Sequence, residues 1–89
     1  MIVEEIELKK DTESKRKAIL ENIGKQVILY DSYNYLVHGF LSKKGHNDHH
    51  YQIHIADGRE QSFLRYDNLE KLFLLKAHKN NPLPYINFE

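Results

Sequence analysis

The stretch Tyr51-Gln52-Ile53-His54-Ile55-Ala56-Asp57-Gly58-Arg59-Glu60-Gln61-Ser62-Phe63-Leu64 holds an Asp-Gly pair between two alternating runs. A tight hairpin turn needs backbone angles that Gly, Asn and Asp adopt most cheaply, so Asp57-Gly58 marks a β-hairpin. Two registers are open to it. A two-residue turn sets His50 opposite Arg65, Gln52 opposite Phe63 and His54 opposite Gln61, all on one face. A three-residue loop with a bulge shifts the pairing by one and carries Phe63 into the core beside Ile53. Burial of Phe63 is the expectation.

Working outward, Gln26-Val27-Ile28-Leu29-Tyr30 reads as a first strand and Asp31-Ser32-Tyr33-Asn34 as its turn. Tyr35 to Lys43 is a long second strand, and Gly39 at its centre is where a strand bends with little steric cost. Gly45-His46-Asn47-Asp48 is a second turn, and the hairpin supplies strands three and four. Tyr66-Asp67-Asn68-Leu69 reads as one helical turn capped by Asp67, and Lys71 to Lys76 as the fifth strand. Toward the N-terminus, Asp11 or Thr12 caps a helix running to Ile23, where Gly24 ends it. Ile19, Leu20 and Ile23 form its apolar stripe, with Glu13–Lys17 and Lys17–Glu21 as (i, i+4) ion pairs on the wet side. Residues 1–10 read as an extended acidic arm. Residues 77–89 carry Pro82 and Pro84, which exclude regular structure, yet they end in Tyr85, Ile86 and Phe88.

The expected fold is mainly β with an N-terminal α-helix: a five-stranded SH3-like or Sm-like small barrel over residues 11–76. Closure is how so few strands avoid open edges. Val27, Leu29, Val37, Ile53, Ile55, Leu69 and Leu72 are its expected core.

Eighty-nine residues make one domain. The chain has no cysteine and balances 13 Lys and Arg against 13 Asp and Glu, so neither disulfides nor a global field for nucleic acid is available. It shows neither an apolar run of about 18 residues nor a basic-then-apolar leader, which implies a cytoplasmic protein without membrane association. No Ser-His-Asp order, Gly-rich phosphate loop or helix-borne carboxylate pair stands in it, so an enzyme is not expected, nor is any cofactor. Four of the six histidines crowd into His46, His49, His50 and His54. On a strand His50 and His54 share a face roughly 13 Å apart, too far to hold one ion, so no metal site is expected.

The chain resembles the Sm-like barrels, the family of Sm, LSm and bacterial Hfq proteins. The resemblance covers residues 12–76 and rests on Ile23-Gly24-Lys25-Gln26-Val27, on Gly39, on Asp57-Gly58 and on Phe63-Leu64-Arg65-Tyr66-Asp67-Asn68-Leu69-Glu70-Lys71-Leu72. YolD-like proteins are similar in helix-plus-barrel order, without their usual N-terminal segment here. WYL domains are similar over Ser62-Phe63 to Leu72, without the Trp-Tyr-Leu hallmark. In the Sm family an Asp and an Asn after strand two pocket a base. Asn47 and Asp48 lie near that place in a different arrangement.

Two binding functions emerge. The first is a non-enzymatic module that associates with a protein partner, including another copy of itself, through the last strand. Leu72-Phe73-Leu74-Leu75 is apolar on both faces, so one face needs a cover beyond the core. Phe73, Leu75, Tyr85, Ile86 and Phe88 are the candidate partner-binding residues, and the resemblance to Sm-like proteins implies strand-to-strand rings. The alternative is single-stranded RNA or DNA on the outer face of the 50–65 hairpin. There His50, Gln52, His54 and Arg65 would meet bases, and Lys43 and Lys44 would meet phosphates. A third cluster, Tyr30, Tyr33 and Tyr35, surrounds the first turn. In SH3 and related barrels aromatics there grip peptides, and packing of Tyr30 and Tyr35 on the barrel rim is the expectation.

Overall fold

A computed structural model describes residues 2–55 and 61–76. In chain order the elements are β1 (Ile2–Ile6), α1 (Thr12–Glu21), β2 (Gln26–Asp31), β3 (Leu36–Leu41), β4 (His50–Ile55), β5 (Gln61–Arg65), a 3-10 turn (Tyr66–Asn68) and β6 (Leu69–Lys76). The six strands form one antiparallel sheet in the order β1-β6-β2-β3-β4-β5.

That order corrects the expected strand count. The acidic arm is a sixth strand, paired to β6 with Val3 opposite Leu75 and Glu5 opposite Phe73. Its backbone needs hydrogen-bond partners, and the free side of β6 supplies them without demanding an apolar side-chain pattern. Among the described residues the ladders leave β1 and β5 as edges, so the sheet is not closed by hydrogen bonds.

The core lies on one face of this sheet. Val27 and Leu29 from β2, Val37 and Leu41 from β3, Tyr51 and Ile53 from β4, and Leu69, Leu72 and Leu74 from β6 converge on it. Of the expected core, Ile55 alone is only partly buried. Alternation within strands explains the selection, since residues two apart share a face; Leu69, three before Leu72, joins them through the register shift between Tyr30 and Asp31. Ile19 from α1 and Tyr66 from the 3-10 turn complete the cluster, so both helical elements pack on this face. The ring centroids of Tyr51 and Tyr66 lie 5.2 Å apart, and burial pushes the Tyr51 phenol well above its ordinary value.

Local signals account for the helix. Asp11 caps it, its Oδ2 accepting the Ser14 N–H at 2.9 Å. The helix stops at Glu21, two residues short of the expected end. There the Asn22 side chain donates to the Ala18 carbonyl at 2.7 Å, and Gly24 follows with φ 82°. Lys17–Glu21 approaches at 3.9 Å on the solvent side, and Leu20, expected in the stripe, is exposed. Lys15 is buried instead, its Nζ donating to the Asp67 carbonyl at 3.2 Å and tying the helix to the 3-10 turn.

Gly39 earns its place by close approach. A Cβ there would lie 2.1 Å from the His54 carbonyl oxygen, in backbone that has no room to yield. No helix among the described residues is long and apolar enough to cross a membrane.

Candidate partner-binding surface

The β2–β3 turn is built around one carboxylate. Asp31 Oδ1 accepts the backbone N–H groups of Tyr33 and Tyr35, each at 2.9 Å. Asn34 takes the left-handed φ of 61°, which Asn tolerates better than most residues, and its side-chain oxygen accepts from the Tyr30 hydroxyl. The Ser32 N–H donates to the Asn68 carbonyl at 2.9 Å, fastening the turn to the 3-10 segment. A turn so held projects Tyr33 and Tyr35 into solvent, against the expectation that Tyr35 packs a barrel rim. Hydrogen bonds internal to the turn fix its shape, so the rings need not be buried to order it.

Between this turn and β5 lies a cleft of about 150 Å³. Its floor is apolar: Leu29, Val37, Tyr51 and Leu64. Its mouth carries Tyr35, Phe63, Arg65, Asp31 and Asn68. Arg65 is gripped by Asp67 in a fork, with Nε–Oδ1 at 3.0 Å and Nη2–Oδ2 at 3.1 Å. The Asp67 hydrogen bond, with its charge and that of nearby Tyr33, raises the Arg65 pKa. In return, the hydrogen bond from Arg65 holds the Asp67 carboxyl below its ordinary value. The pair holds the planar guanidinium in place at the mouth.

The hairpin adopts the two-residue-turn register: His50 faces Arg65, Gln52 faces Phe63 and His54 faces Gln61. Phe63 is therefore not in the core but 60% exposed, a correction to the expected burial. The ladder decides this, because Ser62 and Leu64 take the inward positions opposite Ile53 and Tyr51. The turn residues Asp57 and Gly58 lie outside the described residues.

The register brings the nucleic-acid candidates onto one face without making them one surface. His50 and His54 are half-buried, and Arg65 is exposed but engaged by Asp67. Gln52 is buried beneath the β3–β4 loop. A Cβ on Gly45 of that loop would meet Gln52 Oε1 at 2.1 Å, so the amide is covered by backbone rather than offered to a base. Lys43 and Lys44 are exposed on the same loop. Asn47 Oδ1 accepts the N–H groups of His49 and His50 at 2.9 and 2.8 Å, while His46 Nε2 meets the Ser42 carbonyl at 2.5 Å. Among the described residues no three His, Asp or Glu side chains come together as metal ligands do.

The last strand departs most from its expected role. β6 is no edge: β1 lies on one side and β2 on the other. Phe73 is half-buried and Leu75 buried, both on the face away from the core. Association through a free β6 edge is thus closed off by the arm that residues 2–6 form. Tyr85, Ile86 and Phe88 lie outside the described residues.

Sequence reasoning missed the cleft mouth at Asp31 and Asn68. Asp31 two residues before Tyr33 and four before Tyr35 was the available signal, since Asp at such spacing closes turns on its own carboxylate. Asn68 offered none, for its part is played by a backbone carbonyl. No protein-family model matches the chain, and neither the curated proteins nor the solved structures contain one significantly similar to it.

Proposed function

We propose that the chain is a non-enzymatic binding module that takes an extended segment of a protein partner at the cleft between the β2–β3 turn and β5. One observation carries this reading: Tyr35 and Phe63 stand exposed at the mouth of an apolar-floored cleft, beside an edge strand. Exposed aromatics grouped at a concavity mark binding sites more often than scattered ones do. An edge strand offers unpaired backbone groups that an extended segment satisfies, while a cleft next to it takes one of its side chains. A cleft of about 150 Å³ suits one aliphatic side chain rather than a small-molecule substrate, for which clefts run to ~300 Å³ and above. In this reading β2 to β6 act as a small barrel of the SH3 or Sm kind, with the sheet curled so that β5 and the β2–β3 turn border one cleft. Self-association through β6 would require β1 to leave first.

The single-stranded nucleic acid reading keeps one supporting feature, Phe63 beside Arg65 on the exposed face of the hairpin. Zero net charge and the covered Gln52 weigh against it. Both readings meet in one experiment. The full chain is titrated by NMR with a library of extended peptides and, separately, with mixed-sequence RNA and DNA at low salt. Peptide-induced shifts at Tyr35, Leu64 and Asn68 that Phe63→Ser and Tyr35→Ala abolish are the expected result. Nucleic-acid shifts at His50, His54 and Arg65, fading steeply with salt, would replace the proposal with its competitor.

A further inference from the structure

Among the described residues, every buried hydrophobic residue belongs to the core cluster except two. Phe40 and Leu75 are each only 5% exposed, and neither is part of that cluster. The register places them on the opposite face of the sheet. Gln26 pairs with Phe40 across β3, while Val27 pairs with Leu74 across β6, so Gln26 sits between Phe40 and Leu75. Next along the same face, Ile28 pairs with both His38 and Phe73, and both Ile28 and Phe73 are half-buried.

None of the described helices or strands lies across this face. α1 and the 3-10 turn send Ile19 and Tyr66 into the core on the other side, and all six strands belong to the one sheet. The face also holds a polar group in need of a partner. Gln26 is 3% exposed, its Nε2 lies 2.6 Å from His38 Nε2, and its Oε1 is buried with no hydrogen bond. Turning the amide over exchanges the two atoms and leaves the other end unpaired.

We propose that this face is the docking site of the chain's own C-terminal segment, residues 80–89, which seats Tyr85, Ile86 and Phe88 against Phe40, Phe73 and Leu75. Position favours this occupant, because the chain leaves β6 at Lys76, one residue beyond Leu75. Reach allows it: residues 77–89 span up to about 43 Å extended, against roughly 10 Å for the two strand spacings from β6 to β3. Pairing as a further strand beside β6 is closed, since β1 and β2 occupy both its sides and Pro82 and Pro84 lack N–H groups. Packing face to face shelters Leu83, Tyr85, Ile86 and Phe88 without needing a free edge of β6. The Tyr85 phenol both donates and accepts, so it satisfies the unpaired end of Gln26 in either amide orientation. The segment is then a strap that seals the second face of a one-layer sheet.

The full chain tests this by NMR with a soluble paramagnetic gadolinium chelate as solvent probe. Replacing Tyr85, Ile86 and Phe88 together by Ser is expected to raise relaxation of the Leu75 methyls and Phe40 ring protons several-fold. The Ile53 methyls should stay protected, which reports that the core is intact. Unchanged protection of Leu75 in the folded variant would overturn the proposal. Should the triple variant fail to fold, the unsubstituted chain still decides. Nuclear Overhauser effects from Leu75 and Ile28 to Tyr85 or Phe88 within one chain support the strap. Finding them only between differently labelled chains would assign the face to a second copy and refute it, as would their absence.

Discussion

β6 has two neighbours, and it treats them differently. Against β2 it joins the core, where Val27 and Leu29 are buried opposite Leu74 and Leu72. Against β1 it makes the same antiparallel ladder, yet all of β1 is exposed except half-buried Ile6. One seam is held by buried apolar surface and the other by backbone hydrogen bonds with little behind them. A ladder alone is marginal in water, because the bonds it makes replace bonds to solvent. The β2–β6 seam therefore belongs to the stability of the domain, and the β1–β6 seam to control of its edge.

The largest expected effects fall on the first seam and its core. Leu29→Ala and Ile53→Ala should each cost about 2–5 kcal/mol, the range for emptying a packed aliphatic site, and in so small a domain either would threaten folding. Val3→Ala on β1 should stay within about 0.5 kcal/mol, as surface changes do. Chemical denaturation of the three variants measures the contrast. Similar losses at Leu29 and Val3 would erase the distinction between the seams.

Gly39→Ala comes next. The new methyl would collide with the His54 carbonyl, so β3 and β4 must part to admit it. A loss of about 1–3 kcal/mol is expected, the range for overpacking, with the damage read by amide exchange along β3 and β4 rather than along β1.

A double variant acts on the weak seam without touching the core. Proline at both Val3 and Glu4 removes a backbone donor from β1 whichever parity carries its bonds to β6. The domain should keep its core spectrum and lose little stability. Its β6 edge would then be free, and light scattering should show self-association that rises with concentration. A variant that stays monomeric would mean that β1 is not what keeps β6 from other chains.

The contrast between the seams also explains what could be read from the chain. The β2–β6 seam was legible in part: Val27 and Leu29 stand two apart as inward residues must and Leu72 faces Leu29, while Leu69, three before Leu72, reaches the same face only through the register shift between Tyr30 and Asp31. The hairpin pairing was legible as one of two registers, because Asp57-Gly58 admits a two-residue turn. What tipped the expectation the wrong way was Phe63, whose size argues for burial while the ladder turns it outward. The β1 pairing left almost no side-chain trace. A strand bound mainly by backbone groups can carry Glu4 and Glu5 as readily as Val, so its sequence shows an extended arm and not its partner. Of the candidate site, the tyrosine cluster at the first turn and the shared face of Phe63 and Arg65 were legible, whereas the exposure of Phe63 and Tyr35 ran against expectation. The cleft itself arises where residues distant in sequence meet and where the Asn68 carbonyl fastens the β2–β3 turn, neither of which has a residue code.

The smallest effect concerns the ion pair at the end of the weak seam, where Lys76 Nζ meets Glu4 Oε1. The hydrogen bond from Lys76, followed by its charge, lowers the Glu4 pKa from its ordinary 4.5. The sign follows from that direction. A carboxyl whose folded pKa is depressed contributes stability above its unfolded pKa and loses it as pH falls through the folded value. Glu4 should thus weaken the hold of β1 only in acid, below the ordinary carboxylate range. The pair is solvent-exposed, so screening leaves little for melting temperature to report. Titration is the sensitive readout: followed by carboxyl carbon shifts, the Glu4 midpoint should lie below 4.5 and rise toward it in Lys76→Ala. Added salt should shift it the same way by a smaller amount. A Glu4 midpoint that ignores the loss of Lys76 would show that the ion pair between Glu4 and Lys76 does not form in solution. The strand that closes the edge would then be bound by its ladder alone.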